Sequence, residues 1–109
     1  VLLRHATLAR NLPSILQAGL LTSCSRGKRP AVWACSRAKT AWAALHCAKR
    51  HGGPVKEVVV LEIDVPRRWL RRSKKGLWYC PRDIPPERIR GVITFAAPVR
   101  PPAEGAATR

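Results

Sequence analysis

The chain opens with "VLLRHATLARNLPSILQAGLL", which places His5 two residues before the hydroxyl of Thr7, where a strand-like run gives way to a helix-like one. An imidazole and a hydroxyl at such a corner either complete local hydrogen bonds or present a donor and an acceptor to a ligand. Glu62 and Asp64 lie two apart on a strand and so share a face, which superficially suggests a carboxylate pair. In a chain so rich in arginine, ion pairs with neighbouring guanidinium groups are the expectation for both. Cys24, Cys35, Cys47 and Cys80 contain no CxxC or other paired metal-ligand spacing, and His5, His46 and His51 are scattered. Reduced, partly buried thiols are expected, with no metal site; two disulfides remain compatible with the four cysteines. His46 and His51 carry no assigned role.

The charge balance narrows the partners. Against 21 Lys and Arg stand six acidic residues, a net charge of +15 over 109 residues. Such an imbalance repels itself in the compact state and suits a polyanion: RNA, DNA, a nucleotide or an acidic protein surface. The competing explanation is a base composition that enriches Arg, Ala and Pro. "RRWLRRSKK" at 67–75 concentrates six cations in nine positions. A run of this kind is most often a solvated loop. Here Arg67, Arg68, Arg71, Arg72, Lys74 and Lys75 are also candidates for phosphate contacts, with Trp69 as a base-stacking residue.

No apolar run approaches the ~20 residues that span a bilayer, and "VLLRHA" lacks the layout of a signal peptide. A cytoplasmic protein without membrane contact is expected. The chain contains no methionine, not even at residue 1, so a preceding segment is also expected.

The elements that must position these residues read as follows. Residues 1–6 form a short strand. Thr7 can cap the following turn, and a helix of about two turns begins at Pro13 and stops at Gly19. Residues 22–31 are a loop, 32–36 a strand, and 37–50 a helix with Ala38, Ala41, Trp42, Leu45 and Ala48 on its apolar face. "KEVVVLEIDV" at 56–65 is the clearest strand and, being apolar on both faces at its start, a central one. Further strands are expected at 76–81 and 91–95, then a loose Pro/Ala-rich tail from 96 to 109. The order β-α-β-α-β-β-β predicts a single α+β domain over residues 1–95.

Taken together, "RHATLARNLPSILQAGLL", "VWACSRAKTAWAAL", "VVVLEIDV" and "LWYCPRDIPPERIRGVITF" resemble, in order and spacing, the ADP-ribosyltransferase superfamily. The resemblance implies a small split β-sheet fold with two main helices and NAD held in the cleft between the sheets. It implies that His5 hydrogen-bonds a ribose hydroxyl. It implies that the backbone of Ala6, where many members have Gly, holds the nicotinamide amide, and that Thr7 is the family's small hydroxyl residue. Trp33 and Trp42 would face the nicotinamide ring, and Thr40 would bond its carboxamide. Arg4 and Arg10 are placed for the pyrophosphate, which guanidinium groups grip in pairs of hydrogen bonds.

Most such transferases carry a catalytic Glu at the start of a late strand. "GLWYCPRD" has none, so Asp83 is the nearest candidate for the acid and Glu87 the runner-up. The leading expectation is an NAD-dependent transferase that moves ADP-ribose to a polyanionic acceptor, nucleic acid above all. RNA 2′-phosphotransferases, which resemble it in fold, use NAD and rely on His and Arg more than on Glu, are the first alternative. A non-catalytic basic nucleic-acid-binding module on the same fold is the second.

Overall fold

The structure, a computed structural model, describes residues 1–24, 30–73 and 77–95. Its elements run β1 (Leu2–Leu8), α1 (Leu12–Ala18), β2 (Val32–Ala34), α2 (Thr40–His51), β3 (Val58–Asp64), β4 (Arg71–Arg72), β5 (Trp78–Cys80) and β6 (Ile89–Thr94). They build two three-stranded antiparallel sheets, ordered β1-β3-β6 and β2-β5-β4. The chain is therefore α+β with two helices, as its pattern predicts. No helix among the described residues is long and apolar enough to cross a membrane.

β3 is the central strand of the first sheet because both its faces are apolar. Val59, Leu61 and Ile63 pack with Leu3, Val32, Cys80 and Ile84 between the two sheets. Val58 and Val60 face the other way, onto Ala44, Cys47 and Ala48 of α2. The two-residue period of a strand thus lets one segment knit the inter-sheet core to the helix.

Local chemistry moves several boundaries. β1 continues through Thr7, which pairs with Val59, so Thr7 caps no helix; its Oγ1 accepts instead from Asn11 Nδ2 at 3.4 Å. Arg37–Lys39 is a single tight 3₁₀ turn before α2, and Val55–Glu57 is another before β3. The Arg67–Lys75 run is not wholly loop: Arg71 and Arg72 pair with Tyr79 and Trp78 as an edge strand. Lys74, Lys75 and the expected tail at 96–109 lie outside the described residues.

Two constraints hold the sheets and α1 in place. Arg4 exchanges backbone hydrogen bonds with Cys35 (2.8 and 2.9 Å), joining β1 to the end of β2. Its nearly buried guanidinium ion-pairs with Glu62 Oε2 at 2.9 Å, directly opposite on β3, and reaches Thr40 Oγ1 at 3.4 Å. At the end of α1, Gly19 adopts φ +85°, and Leu20 then bridges Ile84 through two backbone hydrogen bonds. A Cβ at Gly19 would overlap the Ile84 carbonyl oxygen.

Gly19→Ala is expected to lower unfolding free energy by about 1–3 kcal/mol, the cost of a strained backbone without glycine. Arg4→Met is expected to cost about 3 kcal/mol, because it leaves the Glu62 carboxylate half-buried and unpaired. Urea denaturation of each variant beside wild type measures both.

Candidate functional site

The bridge between Arg4 and Cys35 brings the next residues of β1 against β2. His5, Ala6 and Thr7 from β1, Trp33 from β2 and Trp42 from α2 line one cleft of about 680 Å³. Five of the positions assigned to the cofactor by resemblance are thus gathered from three elements, β1, β2 and α2. The volume lies within the ~300–1,000 Å³ usual for cofactor and small-ligand sites.

His5 combines a structural bond with an open nitrogen. Its Nδ1 lies 2.6 Å from the Trp33 carbonyl oxygen. A carbonyl only accepts, so Nδ1 carries the proton and Nε2 keeps its lone pair for a ligand donor. Burial lowers the His5 pKa below 6.5, and the bond to Trp33 offsets part of that shift. The ring is therefore neutral at pH 7. Trp33 in turn packs on Tyr79, directly opposite on β5, with ring centroids 5.1 Å apart.

The far wall is a stripe on α2. Trp42 stacks on His46, with centroids 5.0 Å apart and planes 9° from parallel. Trp42, His46 and Arg50 stand four residues apart, so they share one helix face, and all three line the cleft. Trp42 keeps 48% of its surface exposed, which leaves its aromatic surface available to a planar ligand. His46 and Arg50 were not singled out as site residues in the sequence. The spacing Trp42-His46-Arg50 was the available signal, but Arg50 in the last turn is accounted for by the helix dipole alone.

Other expected site residues fall elsewhere. Arg4 borders the cleft, yet its guanidinium is committed to Glu62 and Thr40. Thr40 is not among the lining residues; its hydroxyl donates to the Arg37 carbonyl at 2.6 Å. Arg10 is exposed and borders a separate depression with Leu8 and Glu57. Asp83 is also outside the lining. Its Oδ1 accepts from the backbone N–H and the hydroxyl of Thr22 at 2.8 and 3.0 Å, which lowers its pKa. Glu87 sits in the single turn before β6, away from the cleft. Among the described residues no Asp or Glu lines the cleft. Glu62 pairs with Arg4 and Asp64 with Arg90, the arginine partners expected of that strand face.

The basic run lies off the cleft. Arg67, Arg68, Arg71 and Arg72 are exposed, while Trp69 is half-buried against the inter-sheet core. Its indole is already covered by guanidinium groups: Arg82 Cζ lies 3.9 Å and Arg88 Cζ 5.3 Å from the ring centroid. Trp69 thus meets Arg82 and Arg88 on its ring. None of the four cysteines is in a disulfide. Burial pushes the Cys35 and Cys80 thiols up, so they serve as packed neutral groups rather than nucleophiles. No cluster of three or more His, Cys, Asp or Glu among the described residues could hold a metal ion.

Neither protein-family models nor curated proteins match the chain.

The lowered His5 pKa makes a testable statement about stability. The unfolded chain takes up the proton first as pH falls below about 6.5, so stability falls in that range until the folded pKa is passed. Urea midpoints measured from pH 7.5 downward should decline more steeply for wild type than for His5→Gln.

Proposed function

We propose that the protein is an NAD-dependent, ADP-ribosyltransferase-like enzyme with a nucleic-acid acceptor. The observation that carries this reading is the meeting of His5, Ala6, Thr7, Trp33 and Trp42 in one cleft of cofactor size. NAD supplies an activated ADP-ribosyl group whose bond to nicotinamide breaks through a positively charged, oxocarbenium-like state.

The chain's own residues fit that task in part. Nε2 of His5 accepts a ribose hydroxyl, and its orientation is fixed by the Trp33 carbonyl rather than by the ligand. The Trp33 and Trp42 rings supply apolar faces for the nicotinamide. Arg50 takes the place that sequence reading gave to Arg4 and Arg10, since it lines the cleft and is exposed.

The acid is the discriminating feature. An alcohol acceptor needs a base to remove its proton, and a carboxylate usually serves. With no carboxylate among the described lining residues, an acceptor that is already anionic fits better. A phosphate group on a nucleic acid is such an acceptor. The same observation favours the RNA 2′-phosphotransferase-like reading, in which His and Arg side chains work on a 2′-phosphate.

The test is nicotinamide release from NAD by wild type, His5→Ala and Asp83→Ala, with RNA, DNA and a 2′-phosphorylated oligonucleotide in separate arms. Release by wild type that falls about tenfold or more in His5→Ala, the worth of a lost ribose hydrogen bond, is expected. Asp83→Ala should keep most of the release, because its carboxylate is spent on Thr22. Loss of phosphate from the 2′-phosphorylated arm alone would select the phosphotransferase reading. No release with any acceptor would overturn both and leave a binding module.

A further inference from the structure

We propose that the face built by Arg67–Arg72, Arg82 and Arg88 is a docking surface for a single-stranded polynucleotide, held through its phosphates and through bases stacked on guanidinium groups. The proposal deepens the reading of the acceptor as nucleic acid and rests on it, but the surface is separate from the cleft: none of these residues lines the latter.

Three observations fix how these arginines are held. β4 is the outer strand of its sheet, so Arg71 and Arg72 stand on an open edge beside Tyr79 and Trp78. Two indoles hold guanidinium groups over their rings: Arg82 at 3.9 Å and Arg88 at 5.3 Å on Trp69, and Arg72 at 4.7 Å on Trp78. Arg71 donates to the carbonyls of Arg68 and Leu70, which fixes it against the turn that carries Arg67 and Arg68.

An arginine held over an indole loses less freedom when it meets a ligand, and the side of its plane turned away from the ring is a stacking surface. Unpaired bases use such surfaces; paired bases in a duplex cannot reach them. The other guanidinium groups match the regular negative charge of the backbone. Of the two acids nearby, Asp83 is tied to Thr22, and Glu87 is one charge against six.

The same face argues against other partners. Among the described residues the large hydrophobic residues that are exposed are Val1, Leu2, Leu16, Trp42, Leu45 and Val92, none of them on the segments that carry these arginines. A protein interface needs an apolar centre and a membrane-surface element needs apolar side chains to insert.

The test is fluorescence anisotropy without NAD, using labelled single-stranded RNA and DNA, the corresponding duplexes, and vesicles containing phosphatidylserine. Arg71→Gln/Arg72→Gln is the first variant and Arg82→Gln/Arg88→Gln the second. Lys49→Gln/Lys56→Gln removes the same charge from elsewhere and is the control. Single strands should bind more tightly than duplexes. The log–log salt slope should shrink by about 0.7 for each phosphate-bound arginine removed. The second variant should weaken single-strand binding by about tenfold or more, the scale of one lost base stack. Equal losses in the control, preference for duplex or vesicles, or no binding would overturn the proposal. Nicotinamide release is read separately, so failure of the docking surface and failure of the cleft chemistry are distinguishable.

Discussion

Arg4 is the residue on which the two sheets depend. Its backbone pairs with Cys35 at the end of β2, and its side chain crosses β1 to Glu62 on β3 and touches Thr40 at the start of α2. A guanidinium that is nearly buried requires a compensating charge, because desolvation without a partner is costly. Glu62 supplies it from the directly opposed position in the β1–β3 register. The pair therefore does more than neutralise charge. It ties β1 to β3 at the residue whose backbone also joins β2, on the border of the cleft.

That seam leaves His5 with one ring nitrogen bonded to the protein and its ring on the cleft. The hydrogen bond to the Trp33 carbonyl gives this mid-strand histidine a structural partner, and it ties the sheets one residue beyond Arg4. It also fixes the tautomer, which leaves Nε2 as an acceptor in the cleft. Burial keeps the ring neutral, which is the form a hydroxyl donor requires. A lone ion pair, a lone carbonyl bond and one lowered pKa thus combine into a preorganised corner. No mobile side chain has to be recruited.

The parts of the fold that follow from periodicity were legible in the sequence. β3 announced its two apolar faces, and the structure places those faces on separate clusters. α1 starts beside Pro13 and stops at Gly19, where the backbone does need positive φ. Long-range pairing was not legible. Nothing local says that Arg4 spends its charge on Glu62, that Asp83 accepts from Thr22, or that Arg10 turns away from the cleft. β4 was hidden because two exposed arginines carry no strand signature until Tyr79 and Trp78 are set beside them. Arg82 and Arg88 were hidden for the same reason: their meaning depends on Trp69, which lies well before them in the chain.

The distribution of charge follows from the same geometry. A chain of net charge +15 must keep its cations apart or give them partners. The described carboxylates on β3 are used by Arg4 and Arg90, so few remain to neutralise the arginines around β4. Those arginines rest on indole rings instead. A cation–π contact stabilises by about 0.5–1 kcal/mol at an exposed site and leaves the full positive charge in place. Carboxylates would have stabilised the fold and removed the field. The indole contacts leave the positive field of these arginines in place.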